Sequence, residues 1–597
     1  MILQSLHDLY DRLAADPSYE IAKPGYSPQK ISFRVVIKPD GSLFDIQDAR
    51  IPNEKGKLFA ETQLVIGEGK SAGPGINPGF LWENTAYLLG YKPGDENPER
   101  TVKSFEAFRD KHLALENEID LPDFSTVCRF LEIWTPEKAS EFAELNPAIN
   151  ELTTGFGLFQ IQGQPIPINA HPLILKWWDA KSAQENGELG QCLITGEQAP
   201  IARLHPKIKS VAGAQSAGAS IVSFNAPSYE SYGKEQSFNA PVSESAAFRY
   251  GTALNSLLNG PMSDKHRIRV GDTTCVFWTD QPSVVEDAFS IFSSSGSEAQ
   301  DEATRSKLEV FLNSLRLGTD VLEDLGENPT RNRFHILGLA PNAARLSVRF
   351  FHQSTVADFL QNLRTHHADT SIVRQFETTI GKRQADSEFI PNWQFLRETA
   401  RVADEIPPLL GGSLMRSILE NIPYPEGIYS AVIRRIRADR TINYPRAAII
   451  KGTLVRNHNQ TIPVMLDPEN TEPAYLLGRL FATLEKIQEE GHTAQTGGKL
   501  DSTIRDKYLS SSCATPSAVF PRLETLSTHH RRHLNPGRKA FFDKLVGEIK
   551  WKQSGTKSTH TLKEQGMFIL GYYHQRKALF TAKEKTEQDP TTTEQPI

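Results

Sequence analysis

VAGAQSAGASIVSFNAPSYESYGKEQSFNAPVSESAAFRYGTALNSLL, residues 211–258, is the stretch from which the rest of the chain is read. The pentapeptide SFNAP occurs twice in it, at Ser223–Pro227 and at Ser237–Pro241. Between Gln215 and Asn239 small and uncharged polar residues dominate, with one lysine, Lys234, and two glutamates, Glu230 and Glu235. Small residues let a backbone come close to another surface. Ser, Asn, Gln and Tyr supply uncharged hydrogen-bonding groups of the kind that contact phosphates and sugars. After Pro241 the apolar residues Phe248, Ala253, Leu254, Leu257 and Leu258 recur at helical spacing. The stretch predicts a small-residue strand, a polar loop and then a helix. The competing reading is a loop packed against its own protein, with the asparagine amides closing turns ahead of Ala-Pro.

Upstream, Ile2, Leu3, Leu6, Leu9, Tyr10 and Leu13 make one apolar stripe and predict a helix over 2–15. His7-Asp8 within it resembles the pair found in metal phosphohydrolases, but no further ligand stands in register, and a solvated face is expected. Two β-rich runs flank Pro39-Asp40-Gly41-Ser42, a hairpin signal. GEGKS at 67–71 is not a phosphate loop: the first glycine of that motif falls on Leu64, and Ala-Gly-Pro-Gly after Ser71 does not open a helix. What remains is a Gly/Pro loop, 67–79, carrying Lys70, Ser71 and Asn77. Residues 101–149 read as helical, 156–176 as strands, and 276–282 as a strand end. A polar insert, 283–330, follows: either a mobile excursion or a helical pair with a flexible joint. Residues 333–355 read as two strands around Pro-Asn-Ala-Ala, with Arg345 and Arg349 alternating out of the second. Leu409–Leu419 and Ile428–Ile436 read as helices, and Arg434, Arg435, Arg437, Arg440, Arg446 and Lys451 as a basic belt.

Beyond about residue 464 the pattern becomes all-helical. Asn470 is the expected cap of a helix that ends at Gly491, and four more helices are expected at about 502–513, 516–532, 536–552 and 560–583, the third with Phe541, Leu545 and Ile549 on its apolar face. From Arg505 to Lys583 there are fifteen Lys/Arg against five Asp/Glu, inside a chain of net charge −6. Such segregation suits sequence-independent contact with a phosphate backbone. The Thr/Glu/Gln-rich tail after Lys583 is expected to be disordered.

The fold class expected is α+β: a mixed α/β N-terminal region followed by an all-α C-terminal bundle. The expected divisions are 1–150, 151–464 with the SFNAP loop and the insert, 465–583 for the bundle, and 584–597 for the tail. The four cysteines, Cys128, Cys192, Cys275 and Cys513, lack disulfide or zinc spacing. No run approaches the length of a membrane span, and the N-terminus lacks a signal-peptide pattern, so a cytoplasmic protein without metal or cofactor is expected.

Four blocks then carry a resemblance over essentially the whole chain. They are MILQSL..LYDRL at the start, TG....IARLHPKIKSV.GAQS.GA.IVSFNA..YESYG.EQ..NAPVS in the centre, APNAARLSVRF at 340–350, and GMFILGYYHQRKALF at 566–580. Together they resemble the large subunit, of the Cas-eight-c type, of the type I-C CRISPR surveillance complex (Cascade) of prokaryotes. The resemblance implies a non-catalytic protein. It implies partners: a guide RNA, target double-stranded DNA, the backbone and 5′-handle-binding subunits, and a nuclease–helicase. It implies reading of the protospacer-adjacent motif (PAM), help in opening the duplex into an R-loop, and a small subunit made separately from the C-terminal bundle by an internal start. Met465, just ahead of the bundle, is the expected start, and translation from it gives residues 465–597, 133 residues.

For PAM reading, groove chemistry points to uncharged polar residues and lysine on loops that come close to DNA. The candidates are Lys70, Ser71 and Asn77 on the first loop, and Gln215, Ser216, Asn225, Lys234, Gln236 and Asn239 on the second. The phosphate-contact candidates are Arg345, Arg349, Arg434, Arg435, Arg437, Arg531, Arg532, Arg538 and Lys539. A metal-dependent nuclease and an RNA-binding scaffold that ignores duplex DNA are the alternatives.

Overall fold

The structure is a computed structural model that describes residues 1–52, 56–67, 75–145, 155–182, 187–293, 310–315, 317, 320–324, 326–379 and 385–587. It is α+β: among the described residues every strand lies in the first 355 residues, and the elements thereafter are helices. The chain forms two compact units: Met1–Ser263 with Pro341–Leu346, and Asp264–Ala340 with Ser347–Ile597.

The first unit opens with α1 (Ile2–Ala15), which buries Leu6, Leu9, Tyr10 and Leu13. Strand β1 (Tyr26–Ile37) is the spine of its sheet. Its second half pairs antiparallel with β2 (Leu43–Asp48), and its first half pairs with β3 (Glu61–Ile66). The β1–β2 turn is the expected one: Asp40 Oδ1 accepts the Ser42 amide at 2.8 Å and its hydroxyl at 2.7 Å, and Gly41 takes φ 88°. On its other side β1 runs parallel to β4 (Phe156–Ile161). A parallel pair needs a crossover. Helices α2 (Pro98–Ile119), α3 (Pro122–Ile133) and α4 (Pro136–Leu145) lie in that crossover, each with proline at its first position. Phe105, Phe108, Phe130 and Phe159 are buried between these helices and the sheet.

Two expectations fail in this unit. Only Phe156–Ile161 of 156–176 is a strand; Pro165 and Pro167 interrupt it, and Pro172 opens a helix, α5 (Pro172–Ser182). Residues 211–222 form turns and isolated bridges, Ile208 to Ala219 and Ser220 to Arg345, rather than a strand. Gly213 (φ 78°) and Gly218 (φ 94°) bend the chain where a strand would run straight. The helix after Pro241 is present as α6 (Glu244–Asn259), which buries Tyr250, Leu254, Leu257 and Leu258.

A four-stranded sheet in the order β5 (Arg267–Val270), β6 (Thr273–Thr279), β7 (Arg333–Asn342) and β8 (Arg345–Thr355) belongs to the second unit, except that Pro341–Leu346 at the β7–β8 turn is grouped with the first. Val284–Ser293, the first part of the insert, is helical; much of its remainder lies outside the described residues. Helices α7 (Pro408–Leu419), α8 (Glu426–Asp439) and α9 (Tyr444–His458) share one apolar core with the C-terminal bundle.

That bundle is α10 (Pro473–Thr496), α11 (Ile504–Ala514), α12 (Pro516–Arg531), α13 (Pro536–Trp551) and α14 (Leu562–Glu587). Helix α10 is buried on every side from Ala474 to Ile487, as a central helix must be. Three local expectations are corrected here. The side chain that caps α10 belongs to Glu472, with Asn470 Oδ1 accepting the Glu472 amide. Gly491 does not end α10; it is a contact point, since a Cβ there would stand 2.6 Å from the His530 carbonyl oxygen, and the terminator is Gly497 at φ 73°. The buried stripe of α13 is Phe542, Val546 and Ile549, and Phe541 is exposed.

Candidate nucleic-acid interface

The site is built on α6. Ser243 caps it, its hydroxyl accepting the Ala246 amide at 3.3 Å. Cys192 Sγ accepts the Ser243 amide at 3.3 Å; burial alone would raise this thiol, but hydrogen bonds from Ser243 and Thr195 outweigh it and bring its pKa to about 7. Helix α1 covers part of α6 through Tyr10 edge-on to Phe248 and an Asp11–Arg249 ion pair.

Along α6 the segment 203–209 is pinned by three contacts. His205 Nδ1 and the Tyr250 hydroxyl share a 2.6 Å hydrogen bond, and burial lowers the histidine pKa and raises that of the tyrosine. Pro206 sits against Gly251, where a Cβ would stand 2.4 Å from the proline Cγ. Asn255 Nδ2 donates to the Lys207 carbonyl at 3.0 Å, and its Oδ1 accepts the Lys209 amide at 2.8 Å. Arg203, Lys207 and Lys209 are left exposed on this rigid segment.

The two SFNAP copies do different work. In the second, Asn239 Oδ1 accepts the Ser231 amide at 2.8 Å, while Nδ2 donates to the carbonyls of Lys234 at 2.7 Å and Gln236 at 3.0 Å. Its amide is consumed in closing the loop. In the first copy, Asn225 is exposed and its Oδ1 accepts Arg345 Nη2 at 2.6 Å. The Arg345 guanidinium also lies over the Tyr229 ring, 4.4 Å from its centroid. Between the copies, Lys234 donates its amide to the Ser231 carbonyl at 3.0 Å, with Tyr232 at φ 56° and Gly233 at φ 67°. Two consecutive left-handed central residues make a type I′ turn.

Five cations gather in this part of the first unit: Arg203, Lys207, Lys209, Lys234 and Arg345. Arg203 donates to Gln236 Oε1 at 2.9 Å and Lys207 to Ser220 Oγ at 3.0 Å, and among the described residues none of the five is in an ion pair. Cations held by neutral groups keep their charge available to an anionic partner.

The other candidates are placed as follows. Lys70 and Ser71 lie outside the described residues. Asn77 is exposed, its amide 3.3 Å from the Tyr87 hydroxyl. Gln215 and Ser216 are exposed on a turn closed by the Gly218 amide on the Gln215 carbonyl at 2.9 Å. Arg349 pairs with Asp272 at 2.9 Å, Arg435 with Asp439 at 3.1 Å and Arg531 with Asp543 at 3.0 Å. Arg538 makes two hydrogen bonds to Glu490, at 2.7 and 2.8 Å. Arg437 donates to Ser510 and Gln565. Arg434, Arg532 and Lys539 are exposed.

The basic run 434–451 does not form one surface. Arg446 and Lys451 are each only 3% exposed. Arg446 binds Glu398 at 2.5 Å and Asp439 at 2.7 Å, and Lys451 donates to the carbonyls of Ala368 and Ser371. Burial opposes ionisation of Asp439, but hydrogen bonds from Arg446 and Thr441 outweigh it and hold the carboxyl at about 2. The charge of the bundle is likewise reduced by acids on α10. Glu489 pairs with Arg576 and Glu490 with Arg538, and from Met465 to Lys583 eighteen Lys/Arg face twelve Asp/Glu.

His7 and Asp8 bind each other at 3.0 Å at the surface. Among the described residues no group of three or more His, Cys, Asp or Glu is placed to hold a metal ion, and no helix is long and apolar enough to cross a membrane. Sequence reasoning passed over Arg203, Lys207, Lys209 and Tyr232. The signals were present: three cations within ARLHPKIK, and a Tyr-Gly pair at the midpoint between two repeats.

A family model described as CRISPR-associated protein (Cas_Csd1) matches residues 6–580. No individually curated protein matches the chain.

Proposed function

The chain belongs to the CRISPR-associated Cas_Csd1 family, and on that premise we propose that it is the non-catalytic large subunit of an RNA-guided Cascade complex of type I-C. In this reading it works in the prokaryotic cytoplasm with a guide RNA, the backbone subunits and the subunit that holds the guide's 5′ handle. It reads the PAM of target double-stranded DNA, helps to form the R-loop and recruits a nuclease–helicase. Base pairing with the guide reads the rest of the target, as in RNA-guided recognition generally.

The observation that supports DNA contact most directly is the group of five cations beside the SFNAP loop, none of which has a carboxylate partner among the described residues. Such a group attracts phosphate, while exposed Asn225, Gln215 and Ser216 offer uncharged groups to base edges. The test is duplex binding by the assembled complex with and without a PAM. Preference for the PAM-bearing duplex is expected. Lys70→Ala or Asn225→Ala is expected to cost about 1–3 kcal/mol on that duplex and to flatten the preference. If both variants bind and discriminate like the wild type, PAM reading lies elsewhere in the chain. Equal binding to both duplexes by the wild type points instead to an RNA-binding scaffold. DNA cleavage by the purified chain with Mg²⁺ or Mn²⁺ overturns the non-catalytic reading.

The same reading gives the small subunit an origin at or beside Met465. This residue is exposed and precedes α10, so a product beginning there keeps all five bundle helices. Made alone, the bundle would uncover Tyr573 and Gly566, which in the full chain meet the Val373 carbonyl and Tyr429. Mass spectrometry of the expressed gene is expected to show a second product starting near Met465; a single full-length species sinks the assignment.

A further inference from the structure

We propose that the outer edge of the first unit's sheet, formed by β2, β3 and the arm between them, docks a β-strand with basic side chains from a neighbouring protein subunit. This rests on the reading of the chain as one subunit of a larger assembly.

Strands β2 and β3 lie one after the other along the side of β1 that faces away from β4. Between them the chain leaves the sheet as a separate two-stranded arm, Ile51–Pro52 paired with Leu58–Phe59. The register of β3 shows which backbone groups are free. Gly67 donates its amide to the Gly25 carbonyl at 2.7 Å, and Pro28, which has no amide, stands opposite Leu64. Bonded and non-bonded pairs alternate along an antiparallel ladder, so Thr62 and Leu64 turn their amides and carbonyls away from β1. Neither finds a backbone partner on that side among the described residues. Phe44, Ile51, Leu58, Phe59 and Leu64 along this edge are 40–47% exposed. All four ladder residues of the arm are exposed, so the arm adds little to the core. An unpaired edge lined by apolar side chains is a template for another strand, and natural proteins blunt such edges or cover them.

Charge selects the partner. Strands β2 and β3 carry Asp45, Asp48 and Glu61 and no Lys or Arg. Arg50 turns back onto Asp48 at 2.7 Å, while Asp45 and Glu61 are in no ion pair among the described residues. Carboxylates repel the phosphates of a nucleic acid. Two copies of this chain meeting edge to edge would set carboxylate against carboxylate, which is destabilising. A strand of another protein that alternates apolar residues with Lys or Arg fits each feature. Its main chain pairs with Thr62 and Leu64, its apolar side chains meet Phe59 and Leu64, and its cations meet Asp45 and Glu61.

The test uses the assembled complex with its guide. On irradiation, p-benzoylphenylalanine in place of Phe59 is expected to join the large subunit to one other protein subunit of the resting complex. Two substitutions then weaken the joint without touching the core. Thr62→Pro removes an amide that β1 does not use, and Phe59→Ser removes an exposed apolar side chain. Each is expected to lower the affinity of the large subunit for the guide-loaded remainder of the complex by about tenfold, with an unchanged melting temperature. Leu173→Ser, at an exposed apolar site on α5, should assemble like the wild type. Wild-type affinity in both edge variants overturns the proposal. A loss confined to Phe59→Ser overturns strand addition. So does the absence of a cross-link, or a cross-link only to guide RNA, target DNA, a second copy of this chain or the nuclease–helicase. Failure of the unaltered chain to join guide-loaded backbone subunits overturns the Cascade reading itself, and the docking edge with it.

Discussion

Gly478→Ala is expected to destabilise the second unit by about 3 kcal/mol or more, against a helix propensity that by itself would favour alanine by about 1 kcal/mol. The reason is where α10 meets α14. A Cβ at Gly478 would stand 1.9 Å from the Phe568 carbonyl oxygen and 2.8 Å from the Tyr572 nitrogen. The contact is reciprocal: a Cβ at Gly571 would stand 2.1 Å from the Tyr475 carbonyl oxygen. Each glycine thus faces backbone three residues ahead of the other glycine, and the helices touch main chain to main chain. No rotamer change relieves such a clash. One helix must move, and Phe481, Phe568 and Tyr572, buried in the same core, must move with it. Chemical denaturation should show a lower midpoint with an unchanged slope. The double variant with Gly571→Ala should cost less than the two singles together, because one displacement relieves both clashes. Gly547 on α13 provides the contrast, since nothing lies within 4 Å of a Cβ there. Alanine at 547 should be neutral or stabilising by up to about 1 kcal/mol. Destabilisation of similar size at 547 and 478 would mean that close approach is not the cause.

These glycines also show where sequence reading reaches its limit. Periodicity located the bundle helices to within a few residues, because α10 to α14 follow one another with proline or polar breaks between them. It did not distinguish a glycine that ends a helix from one that lets a neighbour approach. The sequence pattern predicts Gly491 to be the first kind, and it is the second; Gly497, six residues on, is the terminator. The off-by-one face of α13 has a similar origin. Phe541 and Phe542 are adjacent, and tertiary packing selects Phe542. In the site, local charge was legible and its partners were not. Arg446 follows Asp439 closely enough to be paired on sight, but its other carboxylate, Glu398, lies 48 residues away. The carboxylates that neutralise Arg538 and Arg576 lie on α10, ahead of the basic stretch Arg505–Lys583. The repeat itself was a sound signal, since it marks both ends of the polar loop. What a repeat does not convey is that one copy is spent on closure through Asn239 while the other is held open by Arg345.

Arg345→Ala is accordingly the change expected to do most damage at the proposed interface. In this chain Arg345 has two roles that one substitution removes together. It is a cation with no carboxylate partner among the described residues, and it braces the first SFNAP copy by binding Asn225 and covering Tyr229. A charge-assisted contact to phosphate is worth about 1.5–3 kcal/mol, so duplex affinity should fall roughly tenfold to a hundredfold for PAM-bearing and PAM-free DNA alike. The dependence of log affinity on log salt should flatten by about one, the share of one released counterion. Arg345→Lys separates the roles. Lysine keeps the charge but offers neither a planar fork for Asn225 nor a flat cation for Tyr229. Its salt dependence should match the wild type while its affinity falls part of the way, as should that of Asn225→Ala, which leaves the guanidinium in place. Lys234→Ala, which removes a charge without touching the brace, should flatten the salt dependence by the same amount with the smaller loss of affinity. Affinity and salt dependence both unchanged in Arg345→Ala would remove this face of the first unit from the DNA interface. In that event Arg434, Arg532 and Lys539, the exposed candidates of the second unit, become the next residues to test.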